Sequence, residues 1–230
     1  MKTQLKAIQK AIVGEVVMSE DLEKMGNSLY DNQVPLDWGA PKGFLSLKPL
    51  ASWQQDLLER IEFLSNWVEK GSPPCFWISG FFFPQAFFTA ALQNFARKKI
   101  VAIDELQFDF KIIDEYTLNE ITEKPEDGVY THGMYLEGCR WNNTTHILDE
   151  SNPKQLYTEF PIVWFLPKQN RVKPTTGIYN CPIYKVLSRS GTLSTTGHST
   201  NYCLMIELPS NREQNDWVRA GVALFLALRY

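Results

Sequence analysis

Ala96-Arg97-Lys98-Lys99-Ile100-Val101-Ala102-Ile103-Asp104-Glu105-Leu106-Gln107-Phe108-Asp109-Phe110-Lys111-Ile112, residues 96–112, is the stretch where the apolar period switches. Up to Lys99 the apolar residues recur at helical spacing. From Leu106, Phe108, Phe110 and Ile112 alternate with Gln107, Asp109 and Lys111, which is the pattern of a strand with one wet face. A basic run, Arg97-Lys98-Lys99, closes the helical side, where positive charge suits the carbonyl end of a helix dipole. The switch divides the protein into a helical first hundred residues and a β-rich remainder. That order predicts an α+β fold rather than alternating βαβ units.

On the helical side, Pro84 opens the helix that ends in this basic run, at the position proline tolerates best. Phe87, Phe88, Ala91, Leu92, Phe95 and Ala96 form its inner face. Cys75 to Leu92 is the most apolar stretch of the sequence, but Gly80, Pro84 and Gln85 interrupt it. It reads as a buried strand leading into a buried helix, because a membrane span needs about 20 predominantly apolar residues. Upstream, Ser52 and Gln55 have capping-box spacing. They precede Trp53, Leu57, Ile61, Leu64 and Val68, with Leu58 and Trp67 widening the stripe and Gly71 at the stop. Residues 32–49 hold three prolines and two glycines and read as an irregular connector. Over residues 1–30, Leu5, Ile8, Ile12 and Val16, then Leu22, Met25 and Leu29, lie along one helical side. The stripe begins almost at Met1 without a cap, so the expectation is a piece of a longer protein whose missing part covers it.

On the β side, further strands are expected over residues 129–136, 160–166, 183–187 and 202–208, separated by turn-rich stretches at 124–128, 141–153, 167–177 and 188–197. The last segment, 217–228, has a possible cap in Ser210 and Glu213, yet Gly221 and the two-sided apolar run 222–228 favour a buried closing strand. Five or six such strands close most naturally as a small barrel or strongly curved sheet.

Of the 230 residues, 23 are Lys or Arg and 26 Asp or Glu, for a net charge of −3. Such a protein has no basic field to gather phosphates, which argues against nucleic acid or an anionic membrane as partner. Cys75, Cys139, Cys181 and Cys203 include no C-x-x-C pair, and nothing resembles a secretory signal peptide; four reduced, mostly buried thiols are expected, as in the cytosol. Asn142-Asn143-Thr144 and Asn143-Thr144-Thr145 match a glycosylation sequon that only a secreted protein would use.

Motifs that carry chemistry are weak. Gly191-Thr192-Leu193-Ser194-Thr195-Thr196-Gly197-His198-Ser199 has five residues between its glycines where a phosphate loop needs four, and His198 where it needs lysine. His132, His146 and His198 show no paired-ligand spacing, and adjacent His198 and Ser199 point apart on a strand, which spoils a base and nucleophile pair. No residue is therefore assigned a catalytic, cofactor-binding or metal-binding role. The aromatic run 75–85 reads as core, with a pocket for an apolar ligand near Phe81 to Phe88 as the alternative.

Several segments in sequence order resemble the C-terminal region of dynein heavy chains. They are Ser46-Leu47-Lys48-Pro49-Leu50 with Trp53, Phe76 through Phe87, and Gln93-Asn94-Phe95-Ala96-Arg97-Lys98. Downstream follow Thr131-His132-Gly133, Leu136-Glu137-Gly138 with Arg140-Trp141, Cys181-Pro182-Ile183-Tyr184-Lys185, residues 194–201, and Arg219-Ala220-Gly221-Val222-Ala223-Leu224. Leu136-Glu137-Gly138 and the 194–201 segment are more similar to the axonemal branch; residues 40–44 and Cys139 depart from the family pattern. The resemblance implies a helical part followed by an incomplete antiparallel β-barrel. Residues 1–30 would be the terminal helix of the preceding, sixth AAA+ module, 31–104 the helical part of the C-terminal domain, and 105–230 its barrel part. It further implies a non-catalytic domain that packs on the AAA+ ring of the same heavy chain and modulates a ciliary, microtubule-based motor in the axoneme. ATP and Mg would bind in upstream modules, with no cofactor here, and other dynein subunits and the microtubule would be reached through the parent polypeptide.

Overall fold

The computed structural model describes residues 1–39, 43–191 and 200–230. Two compact units divide the protein: residues 1–59 with 228–230, and residues 60–227.

The first unit is helical. Helices α1 (Lys2–Ile12) and α2 (Glu20–Tyr30) are separate, so the single stripe expected over residues 1–30 breaks in two. The break has a local cause: Ser19 caps α2, its hydroxyl accepting from the Leu22 amide, and Glu20, Asp21 and Glu23 in the first turn suit the helix dipole. Ile8 and Met25 go into the core with Trp38, Phe44 and Trp53, while Ile12 and Val16 stay exposed. Phe44 stacks on Trp53 with centroids 5.4 Å apart, and Trp38 flanks it at 6.2 Å. The Trp38 indole donates to Gln4 at 2.8 Å, so its polar edge is satisfied.

Helix α3 (Leu50–Lys70) begins earlier than its expected capping box. Ser52 lies inside the first turn and Gln55 donates to Glu59 instead. Asn32, far back in sequence, serves the orphan amides: its carbonyl accepts from Leu50 N at 2.9 Å and its side chain from Ala51 N at 3.2 Å. The inner face is also rotated from the one expected. Asp56 and Arg60 are buried on it, whereas Ile61 and Val68 are exposed. Polar groups occupy that face because each has partners there: Lys48 reaches Asp56 at 3.3 Å, and Arg60 donates to the Phe81 carbonyl and lies over the Trp77 ring at 5.8 Å.

In the second unit, strand β1 (Cys75–Trp77) leads into helix α4 (Pro84–Lys99), which starts on Pro84 and ends in the basic run as the sequence predicts. The remaining elements are β2 (Leu106–Ile113), β3 (Val129–His132), β4 (Tyr135–Glu137), β5 (Arg140–Asn142), β6 (Ile147–Asp149), β7 (Tyr157–Glu159), β8 (Ile162–Gln169), β9 (Ile178–Val186), β10 (Tyr202–Pro209), α5 (Gln214–Arg219) and β11 (Ala223–Ala227). They form sheets of order β1-β3-β8-β2 and β10-β9-β11-β4-β7, plus the β5-β6 hairpin. Pairing is antiparallel except for β1 with β3 and β9 with β11, and the sheets do not close into a barrel. The α+β class with an incomplete, largely antiparallel β part stands. No helix among the described residues is long and apolar enough to cross a membrane.

Two expected strands and one expected turn differ in the structure. Residues 129–136 split into β3 and β4, which belong to different sheets, at Gly133 (φ +88°). A Cβ there would press on the Trp77 indole, so only glycine permits the turn. The closing segment 217–228 is helix first and strand afterwards: α5 ends at Arg219, Gly221 (φ +72°) reverses the backbone, and β11 follows. Strand β11 is buried at every position, with β9 on one side and β4 on the other, hence its uninterrupted apolar run. Residues 141–153, expected as turn, contain most of the β5-β6 hairpin. The core includes Ile78, Met134, Leu136, Phe165, Ile183, Ile206 and Leu224, with Phe88 of α4 4.6 Å from the ring of Phe165 on β8.

Candidate functional site

A polar cavity of about 570 Å³ opens beside the end of β2, with Tyr116, Thr117, His132, Trp141, Thr158 and Glu159 among its lining residues. Asp114 lies in its wall. Its carboxylate accepts from Trp141 Nε1 at 2.6 Å and contacts His146 Nδ1 at 2.7 Å. Burial pushes the Asp114 carboxyl up, but the hydrogen bonds from Trp141 and His146 outweigh it and hold the group below the ordinary aspartate value. The pair pins the β5-β6 hairpin to the end of β2. His132 lies at the end of β3, and burial pushes its imidazole below the usual histidine value, so it is neutral at physiological pH. The structure thus brings His132 to this cavity and ties His146 to its wall, without making them a ligand pair: among the described residues, no group of three His, Cys, Asp or Glu is placed to hold a metal ion. His198 and Ser199, with the rest of 192–199, lie outside the described residues, as do residues 40–42 of the departing segment.

Sequence reasoning missed a set of arginine ties. Arg171, after β8, donates to both carboxylate oxygens of Glu207 on β10, at 2.8 and 2.5 Å, and to Asp109 on β2 at 3.0 Å. The Arg171 and Glu207 side chains are only 6% and 8% exposed, so each charge depends on the other. The tie joins strands of two different sheets. Arg189 ties residues within one sheet, near the neighbouring strands β4 and β11, bonding Glu137 and the Gly221 carbonyl and lying over Phe225. Nothing in linear spacing marks these pairs, which are 32 to 62 residues apart.

The four cysteines are free thiols, Cys75, Cys139 and Cys181 fully buried and Cys203 partly so. Burial pushes Cys75, Cys139 and Cys203 up to about 12 and Cys181 well above its ordinary value, which leaves them protonated and poor nucleophiles. The run 75–88 is filled by its own rings. Phe81 stacks on Phe87 at 4.4 Å, Phe76 meets Phe87 at 4.9 Å, and Trp67 and Phe63 approach Phe81 edge-on. A smaller cavity of about 310 Å³ lies alongside, walled by Trp67, Phe76, Phe87, Ala90 and Ala91.

Residues 1–226 match the family described as the C-terminal domain of the dynein heavy chain. The protein belongs to that family. It is 56% identical over 221 residues to dynein axonemal heavy chain 1 of Mus musculus, a match spanning 96% of the present sequence and 5% of that protein. It is 47% identical over 214 residues to dynein axonemal heavy chain 3 of Homo sapiens, 93% of the present sequence and 5% of that protein. It is 45% identical over 228 residues to dynein axonemal heavy chain 12 of Rattus norvegicus, 99% of the present sequence and 7% of that protein. The 230 residues thus span a small fraction of the length of these curated relatives.

In this dynein C-terminal domain, the segments that carry the family likeness lie at joints of the fold. Ser79, within 76–87, donates to the Gly133 carbonyl of Thr131-His132-Gly133. The buried Asn201 side chain accepts from Val186 N and donates to the Val186 and Ser190 carbonyls, holding the end of β9. The Tyr179 hydroxyl donates to the Val222 carbonyl within the terminal Arg219 to Leu224 segment at 2.6 Å.

Proposed function

We propose that this protein is a docking and regulatory domain of an axonemal dynein motor, packing on the AAA+ ring of the same heavy chain and biasing the equilibrium between ring conformations. The observation that carries the reading is the family match across residues 1–226, with 56% identity to an axonemal heavy chain. A surface with a mechanical task needs rigid joints and exposed apolar contacts. The arginine ties supply the first; Ile12, Val13, Val16 and Val17, the last 87% exposed, supply the second. In this reading residues 1–30 close the sixth AAA+ module, 31–104 and 105–230 form the helical and β parts of the domain, and the domain acts without catalysis or cofactor of its own. ATP and Mg act in upstream modules, while the microtubule and other dynein subunits are reached through the parent polypeptide in the cilium axoneme. Deleting residues 31–230 from the full motor is expected to change force and step behaviour while the nucleotide sites stay chemically intact. Unchanged motility would overturn the reading.

The second reading, a module that binds an apolar ligand, has one observation in its favour: the 310 Å³ cavity beside Phe76 and Phe87. Its volume is at the low end for ligand pockets, about 300 to 1,000 Å³. Native mass spectrometry decides, since a specific bound small molecule belongs only to this reading.

A further inference from the structure

Helix α4 ends in an unusual way. Its C-cap is Ile100, in the left-handed region at φ 56° and ψ 51°, with its amide donating to the Ala96 carbonyl. The Val101 amide donates to the same oxygen at 3.1 Å. Helices that stop in this conformation use glycine, or sometimes asparagine, because a Cβ crowds the backbone there; a β-branched residue suits the position least. Packing does not account for the isoleucine, since the residue is 92% exposed. Strain kept at a surface position, by a side chain so little buried in its own domain, is a pointer to use.

The surroundings say what kind of use. Ile100, Val101 and Ile103, with Gln93, Ala96 and Arg97, line an open depression of about 650 Å³. Of the three cations in the last turn, Lys98 and Lys99 are held by Asp127 at 2.6 and 3.1 Å. Arg97 has no carboxylate partner among the described residues and stands at the rim of the depression. The acidic residues of the turn below are Asp104 and Glu105, the latter taken up by Gln169.

We propose that this helix end, centred on Ile100, is a docking site for an acidic amphipathic helix of a protein partner, whose apolar residues fill the depression and whose carboxylate pairs with Arg97. An anionic membrane is the weaker fit. Such surfaces call for clusters of about four to eight basic residues. Here there are only three cations, two of them sharing the one carboxylate of Asp127, and the protein has a net charge of −3.

The test uses the 230-residue protein and two labelled helical peptides read by fluorescence anisotropy. Both carry Leu at i, i+3, i+4 and i+7; one is flanked by Glu and the other by Lys. Vesicles of phosphatidylserine and phosphatidylcholine form a third arm. The Glu peptide is expected to bind about tenfold or more tightly than the Lys peptide. Ile100→Gly and Ile100→Asn are expected to lower that affinity about tenfold while the thermal midpoint rises or holds, because relief of backbone strain and loss of contact act in opposite directions. Arg97→Glu should reverse the preference between the peptides. Equal binding of the two peptides, no binding of either, vesicle binding in place of peptide binding, or a fall in thermal midpoint in both Ile100 variants would each overturn the proposal.

Discussion

Residues 1–59 and residues 60–227 both bury aromatic rings, but they do so by different means. The first unit gathers its core around one residue: Trp53 stacks with both Phe44 and Trp38, in one cluster with Ile8 and Met25. The second spreads its core over its sheets and ties strands together with buried charge, Arg171 to Glu207 above all. A core built on one ring concentrates its stability there. A core spread over strands of distant sequence draws on many small contributions, and its weak point is any place where a charge has been buried against a single partner. The two units are therefore vulnerable at different places, and substitutions on either side separate them.

The largest effect is expected at Trp53. Trp53→Ala should destabilise the first unit by about 3–5 kcal/mol, as large aromatic truncations in cores do. Hydrogen exchange should then show loss of protection over residues 1–59 with protection in the β-strands retained; uniform loss across both units would erase the distinction. Next is Arg171→Ala, which strands Glu207 without its counter-charge and should cost about 3 kcal/mol or more in denaturant unfolding. Arg171→Met combined with Glu207→Leu removes both charges and should recover much of that loss. If the double variant is no better than the single, the tie acts through packing of the guanidinium rather than through charge.

A smaller effect belongs to Asn32. Asn32→Ala removes the acceptor for the Ala51 amide and a residue suited to its left-handed backbone (φ 56°), at a cost of about 1 kcal/mol. Ser52→Ala should stay within about 0.5 kcal/mol, because Ser52 lies inside the first turn of α3 and not at its cap. The smallest is a pH effect in the second unit. In the native state Asp109 and Asp114 are held below the ordinary aspartate value of 3.8: for each, burial pushes upward and hydrogen bonds from Lys168 and Arg171, or from Trp141 and His146, prevail. A carboxylate with a depressed folded value contributes stability that is present above its unfolded value and lost as pH falls through the folded one. Acid unfolding followed from about pH 5 downward should therefore lose this increment below 3.8. Asp114→Asn should flatten that limb of the curve, and an unchanged profile would remove Asp114 from the account.

Much of the fold was legible in residue order. Pro84 and the run Arg97-Lys98-Lys99 marked both ends of α4, and the alternation from Leu106 marked β2 almost to the residue. These signals are local: proline at a first turn, charge at a helix end and a period of two all act within a few residues. The capping box at Ser52 failed because a distant Asn32 reached the helix start first. The inner face of α3 was misplaced because Asp56 and Arg60 are inner-face residues only once Lys48 and the Phe81 carbonyl are beside them. Of the polar cavity, the sequence shows His132 and His146 as residues, but nothing in the spacing ties His146 to Asp114, 32 residues away.

The sequence by itself determined the α+β class, the place where helix gives way to strand, the four free and mostly buried thiols and the family, because each rests on local periodicity, composition or the order of segments. Only the tertiary structure decided the strand order, the two parallel pairings, the division of the closing segment at Gly221 and the arginine ties. Those depend on which residues meet across tens of positions, and a buried charge or a left-handed turn acquires its meaning only from the group that stands opposite it.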